Sequence, residues 1–221
     1  MRISDLLKKD TIILDLQAAS KADVIDELVT KLDEAGRLNS KEDYKKAILA
    51  REEQSTTGLG EGIAIPHAKT AAVRTPAIAF GRSVAGIDYE ALDGQPSQLF
   101  FMIAASEGAN NEHLATLSKL STFLMDTAFR DQLLAAQSID DVIAIIDRKE
   151  AEESDEEEEE VQSTSADDTF IIGVTGCPTG IAHTYMAADA LKKRSTRARL
   201  LYKGRNKWFR RGEKSSYKRR Y

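Results

Sequence analysis

Two short stretches hold side chains able to carry a phosphoryl group. In "TTGLGEGIAIPHA", His67 follows Gly58, Gly60, Gly62 and Pro66. An imidazole nitrogen is both a good nucleophile and a good leaving group for phosphoryl transfer near neutral pH. A histidine just past a strand end projects from a rigid element, and glycines beside it allow another molecule to approach closely. The same pattern also suits an ordinary surface histidine, and spacing alone leaves both readings open. In "GVTGCPTGIAHT" the only cysteine of the chain, Cys177, falls in a turn between a strand and a helix. A helix N-terminus there favours the thiolate, and backbone amides around Gly180 suit a phosphate. A lone cysteine is equally at home as a buried apolar side chain.

Composition limits the alternatives. With 221 residues, 42% of them hydrophobic, the chain can form one ordinary domain or two small ones. No apolar stretch is long enough to cross a bilayer, and "MRISDLLKKD" has no apolar core of a signal peptide. A single cysteine excludes an internal disulfide and suits a reducing compartment. With only three separated histidines beside it, a metal site is not expected. The net charge of −5 is unevenly spread: residues 192–221 carry +13 and the rest carries −18. One evenly selected globular protein rarely looks like that.

The elements that must position His67 are legible in outline. Ser20 with Asp23 forms a helix start, after which Val24, Ile25, Leu28, Val29 and Leu32 share one face and Gly36 closes the helix. Ser40 and Asp43 repeat the start signal, and Tyr44, Ala47, Ile48 and Arg51 share the next face. The glycine segment reads as a loop leading into a short apolar strand that ends at Pro66. "PAIAFGRSV" and "QLFFMIAA" read as strands, the second buried on both faces. Leu114, Leu117, Leu120 and Leu124 mark a helix capped by Asn110 or Asn111, and residues 129–134 and 139–146 two shorter ones. This mixture predicts one α/β domain over residues 1–148, a single mixed β-sheet flanked by helices.

Residues 150–168 hold eleven acids and one aliphatic side chain larger than alanine, Val161. Such a stretch cannot bury enough surface to fold, so an extended, self-repelling, disordered linker is expected over residues 149–168. Residues 169–193 begin a second α/β unit, a strand "TFIIGVTG" followed by a helix "IAHTYMAADALKK". One strand and one helix do not make a domain.

"LAREEQSTTGLGEGIAIPHAK" closely resembles the fructose- and mannitol-type enzyme IIA domain (EIIA type 2) of the bacterial phosphoenolpyruvate:sugar phosphotransferase system. The likeness covers about residues 1–148. It implies that His67 accepts phosphate from the phosphocarrier protein HPr and passes it to a cysteine of an EIIB component. It also assigns to the site an arginine before the glycine segment, matching Arg51, and a histidine at a helix start, matching His113 in "NNEHLATL". A guanidinium offers a planar fork to phosphate oxygens. A helix N-terminus beside His113 adds N–H groups and positive potential. Taken singly, Arg51 reads equally well as an exposed charge paired with Glu52 or Glu53, and His113 as a surface residue. "GVTGCPTGIAHT" in turn resembles the active loop of the fructose-type EIIB domain. There the cysteine, matching Cys177, takes the phosphate, and Thr179, Gly180 and Thr184 are candidates to hold it. The resemblance implies uptake and phosphorylation of a sugar, fructose, together with EIIB and the membrane component EIIC, and no cofactor. It implies a cytoplasmic protein reaching the membrane only through EIIC. The related nitrogen-regulatory EIIA domains, which use the same histidine as a switch, give an alternative.

From Arg194 the resemblance breaks off and the chain turns basic, with Tyr202, Trp208, Phe209 and Tyr217 among the charges. A nucleic-acid-binding arm is one reading. A frameshift is the preferred one. "KGRNKWF" and "GEKSSYKRRY" can each be encoded by codons that, read one nucleotide later, resemble the continuation of an EIIB domain. On that reading residues 194–221 carry no selected role, nucleic acid is not a partner, and Cys177 is impaired.

Overall fold

The computed structural model describes residues 2–108, 110–162, 170–175, 191 and 201–206. The chain divides into two units, Met1–Gln162 and Ser163–Tyr221. In chain order the first unit contains α1 (Ile3–Leu6), β1 (Leu7–Ile13), α2 (Lys21–Glu34), α3 (Lys41–Glu52), β2 (Gly58–Gly60), β3 (Ile63–Ala64), β4 (His67–Lys69), β5 (Ala77–Ile87) and β6 (Ser97–Ala105). It continues with α4 (Asn110–Leu124), α5 (Thr127–Ala135) and α6 (Ile139–Gln162).

The predicted helix starts are built as expected. The side-chain oxygens of Ser20 and Ser40 accept the backbone N–H groups of Asp23 and Asp43. Each such cap is worth about 1 kcal/mol of helix stability. Gly36 follows α2 with φ +69°, the left-handed conformation that ends a helix. The helix α4 begins at Asn110 itself, so Asn110 and Asn111 lie in its first turn and do not cap it from outside.

The sheet runs β1-β5-β6-β3-β2, with β4 also paired to β6. Strands β5 and β6 are antiparallel, and β1 lies parallel to β5. Strands β3 and β4 are both parallel to β6, at Leu99–Phe100 and Ile103–Ala105 respectively. Strand alternation sends Ala77, Ala79, Phe100, Met102 and Ala104 into one core with Leu28, Leu32, Tyr44 and Ile48 of α2 and α3. Ile78, Phe80, Leu99, Phe101 and Ile103 take the other face, where α4 and α5 pack on β6. The expected mixed sheet flanked by helices is therefore present.

Two sequence expectations need correction here. The glycine segment is not a loop: β2 and β3 form an antiparallel hairpin. Its two-residue turn, Glu61–Gly62, has φ of +57° and +75°, the positive pair that a tight hairpin needs. The second concerns the acidic run, where α6 continues through Gln162 in place of an extended linker from residue 149. Glu and Ala are strong helix formers, and basic neighbours offset part of the repulsion. Lys119 pairs with Glu153 at 2.8 Å and Lys149 with Glu152 at 3.6 Å.

Glu150 belongs to the fold. Its side chain is only 2% exposed. It accepts the Ile3 N–H at 2.6 Å, the Ser4 hydroxyl at 2.6 Å and the Ser4 N–H at 3.3 Å, tying α1 to α6. Burial alone would raise this carboxyl. The Ser4 hydroxyl, the two N–H groups and the Lys119 charge outweigh it, so the group lies below its ordinary 4.5. A depressed carboxylate stabilises the fold above its unfolded pKa and loses that contribution as pH falls through the folded value. Glu150→Gln is thus expected to lower urea stability at pH 7 and to flatten its decline below about pH 4.5, the ordinary value of the group. An acid limb identical to wild type would contradict this.

In the second unit, β7 (Phe170–Thr175) pairs in parallel with β8 (Leu201–Asn206). Part of the basic segment thus forms a strand. Leu201 and Tyr202 give it a β-prone start. Cys177, Thr179, Gly180 and Thr184 lie outside the described residues. Among the described residues no helix is long and apolar enough to cross a membrane.

Candidate functional site

His67 is the first residue of β4 and is half-buried. It stands inside a strand, one residue later than the strand end predicted, and is paired with Ile103 of β6. Ile65 and Pro66 separate β3 from β4, and the Pro66 carbonyl still accepts the Ile103 N–H at 2.9 Å. The missing N–H of proline therefore leaves this join between the two short strands intact.

The ring of His67 is oriented by backbone. Its Nδ1 lies 2.7 Å from the Ile65 carbonyl. A carbonyl only accepts, so Nδ1 carries the proton and Nε2 carries the in-plane lone pair. Nε2 is then the nucleophilic nitrogen. The Ile65 N–H in turn donates to the Thr57 carbonyl at 3.0 Å, which fixes the segment from behind.

Arg51 lies in the last turn of α3, and α3 packs against β4. Its Nη1 donates to the Ser55 carbonyl at 3.0 Å and to Ser55 Oγ at 3.3 Å. Burial lowers its pKa from the ordinary value, partly offset by the Glu52 charge; a guanidinium remains charged regardless. The Ser55 contacts hold the fork on the turn that leads into β2.

Glu52 does not form the surface pair with Arg51 that the sequence allowed. It is almost fully buried and turned the other way. It accepts the Thr57 N–H at 3.1 Å and the Thr57 hydroxyl, and also the Tyr89 hydroxyl at 3.3 Å. Lys21 lies 3.0 Å from it and 5.1 Å from the centre of the Tyr89 ring. Burial, and then the Glu52 charge, push the Tyr89 hydroxyl well above its ordinary pKa, so it acts as a donor. Lys21, Glu52, Thr57 and Tyr89 form a buried polar cluster behind the segment that leads to His67, which sequence reasoning missed. Their signal was a carboxylate directly after Arg51, which cannot be told from a solvated one without the fold.

The hairpin is pinned on its other side. A Cβ on Gly58 would come within 2.8 Å of Ala91 Cα, so only glycine lets these two backbones meet. The Glu61 N–H donates to Asp93 at 2.9 Å, and its carboxylate accepts Arg130 Nη2 at 2.9 Å.

His113 lies in the first turn of α4. That helix follows the C-terminal end of β6, and His67 pairs near the same end because β4 runs parallel to β6. The topology thus brings the start of α4 and His67 to one end of the sheet. Among the described residues no group of three or more His, Cys, Asp or Glu side chains is arranged to hold a metal ion. The arrangement can present an imidazole lone pair on β4 and a guanidinium at the end of α3, the helix that packs on that strand; both groups suit nucleophilic acceptance of an anionic group.

Comparison with known proteins gives a consistent picture. Residues 5–149 match the family model of the phosphoenolpyruvate-dependent sugar phosphotransferase system, EIIA 2. The fructose-specific EIIABC component of Bacillus subtilis (strain 168) is 60% identical over 196 residues, 88% of this chain and 31% of that protein. The chain therefore spans about a third of that relative's length. The fructose-specific EIIA component of Haloferax volcanii is 41% identical, over 64% of this chain and 94% of the relative. Among solved structures, nitrogen regulatory protein IIA-Ntr from Neisseria meningitidis superposes with a TM-score of 0.62 at 35% identity, covering 65% of this chain and 98% of that one. The complex of enzyme IIAMTL and phosphorylated enzyme IIBMTL from Escherichia coli matches with a TM-score of 0.56 at 27% identity, covering 64% and 98%.

Proposed function

The chain belongs to the EIIA 2 family of the phosphoenolpyruvate-dependent sugar phosphotransferase system, and on that premise we propose that His67 is its phosphate acceptor in a relay from phospho-HPr to an EIIB cysteine. The observation that carries this reading is the Nδ1–H bond to the Ile65 carbonyl, which makes Nε2 the nucleophile. The Nε2 lone pair attacks phosphorus and the bond from phosphorus to the donor breaks. No proton leaves the ring in this step. The positive charge on the phosphorylated ring is shared with Nδ1, whose N–H keeps its carbonyl acceptor. In the second step the Nε2–phosphorus bond breaks as an EIIB thiolate attacks, and neutral imidazole is restored. Transfer between two such bases needs positioning and charge neutralisation. Arg51 supplies the charge, and His113 at the start of α4 is the second candidate to contact the phosphoryl oxygens.

The sugar is proposed to be fructose, since two fructose-specific relatives match at 60% and 41% identity. The match to the EIIABC relative runs over 196 residues and so continues past the family model's segment. That supports residues 169–193 as the start of an EIIB domain, with Cys177 at the position of its phosphocysteine, impaired where the resemblance breaks off at Arg194, and Thr179, Gly180 and Thr184 as phosphate-loop candidates. HPr, EIIB and EIIC are then the partners, and the cytoplasmic face of a permease the location. The test is transfer of labelled phosphate from phosphoenolpyruvate through HPr to this chain. Membranes carrying EIIB and EIIC are then added, and fructose-dependent consumption of the label is followed. Phosphorylation without any sugar-dependent discharge would favour the regulatory alternative, which the likeness to IIA-Ntr supports.

Arg51→Ala is expected to slow transfer about 10- to 100-fold in both directions, the worth of one charge-assisted contact. Rapid-quench measurement in each direction checks it, and wild-type rates would remove Arg51 from the site.

A further inference from the structure

We propose that Glu52 is a positioning residue for His67: through a chain of hydrogen bonds it sets which ring nitrogen of the acceptor carries the lone pair. The inference rests on the reading of His67 as the acceptor. Each link is short. The Glu52 carboxylate accepts the Thr57 N–H at 3.1 Å and the Thr57 hydroxyl. The Thr57 carbonyl accepts the Ile65 N–H at 3.0 Å. The Ile65 carbonyl accepts the His67 Nδ1–H at 2.7 Å. No link touches the reacting atoms, so Glu52 acts by placement alone.

The anchor of this chain is stiff. Glu52 is 6% exposed and is held by Lys21 at 3.0 Å and by the Tyr89 hydroxyl at 3.3 Å. A buried carboxylate with four donors has one low-energy orientation. Arg51 is its neighbour in the last turn of α3 and reaches Ser55, inside the segment that Glu52 closes at Thr57. One carboxylate therefore fixes the turn that presents the guanidinium and the strand that orients the imidazole. Without it Thr57 loses two acceptor contacts, the Thr57–Ile65 join loosens, and the ring can populate its other tautomer. That tautomer puts the proton on Nε2 and cannot accept phosphate there.

The experiment uses the full chain with 15N-labelled histidine. Ring-nitrogen chemical shifts report the His67 tautomer, and quench-flow with phospho-HPr gives kcat and KM. Wild type should show the Nδ1–H form. Glu52→Ala should show a mixture of tautomers, with kcat lower by about 10- to 100-fold, the scale of a small misplacement, and KM for phospho-HPr within about twofold. Glu52→Gln keeps an acceptor for the Thr57 N–H and should recover most of both readouts. Thr57→Ala removes one of the two contacts without burying an unpaired charge. It should move the tautomer ratio in the same direction by less, and it stands in if Glu52→Ala does not fold. A wild-type tautomer signature in Glu52→Ala, or in Thr57→Ala where that is the variant available, overturns the proposal. So does a loss of kcat in Glu52→Ala that Glu52→Gln fails to restore. If wild type shows the Nδ1–H form yet takes no label from phospho-HPr, it is the acceptor reading that fails, while the tautomer arm still tests the chain of bonds.

Discussion

A chain carrying His67→Ala, incubated with labelled phospho-HPr, is expected to take up no acid-labile, base-stable phosphate. The loss should be on the order of a thousandfold or more, as for removal of the nucleophile from other covalent sites. It should come without unfolding. His67 is half-buried at the first position of β4, and its pairing to Ile103 is made by backbone, which alanine supplies equally well. Stability within about 1 kcal/mol of wild type is therefore expected. Label on the variant, in the same chemical form and at a wild-type rate, would place the acceptor elsewhere. The measurement separates a missing nucleophile from a damaged fold because the circular dichroism melt of the same sample reports the second.

The largest expected effect on stability is at Arg82. This side chain, 8% exposed, sits on β5 and donates Nη1 to the carbonyls of Leu133, Leu134 and Ala136 at 3.3, 3.0 and 2.6 Å, and Nε to that of Leu14 at 2.9 Å. It thereby closes the C-terminal end of α5, where helix carbonyls have no partner of their own. Arg82→Met keeps most of the apolar stem and removes every donor. Several buried carbonyls are then left without a partner, at about 1–3 kcal/mol each when no water reaches them. A net loss of about 3 kcal/mol is expected, read as a lower urea midpoint at unchanged slope, with phosphate uptake at 4 °C retained. A loss under about 0.5 kcal/mol, the usual scale for an exposed site, would mean that solvent reaches these carbonyls freely.

The two sites show why some residues were legible in the sequence and others were not. The caps at Ser20 and Ser40 depend on partners three residues away, so a local pattern reveals them. The apolar strand β6 is legible because both faces are buried along nearly its whole length. His67 and Arg51 were reached through a sequence motif, and the fold packs their two elements together. Glu52 and Glu150 were not legible. Each is one acid among several, and its burial is decided by donors far along the chain: Lys21 and Tyr89 for Glu52, Ile3 and Ser4 for Glu150. The hairpin at Gly58–Ala64 was misread for a related reason. Closely spaced glycines signal a loop locally, while their use here is a tight turn against Ala91 and Asp93, which lie some thirty residues later. Composition also hid the continuation of α6, because a run of acids looks solvated until Ile3, Ser4 and Lys119 are seen around Glu150.

The tandem pairing of β3 and β4 along β6 has a consequence for solubility. "SQLFFMIAA" is a nine-residue apolar run without a charge, the kind of segment that recruits copies of itself when an edge is open. One edge is covered by β5. The other is covered only by two short strands, β3 and β4, and the second begins with His67. The segment that presents the proposed acceptor is therefore also the gatekeeper of this long apolar strand. Loosening it for faster chemistry would uncover that edge, so colloidal stability restrains the same few residues that the proposed phosphate transfer depends on.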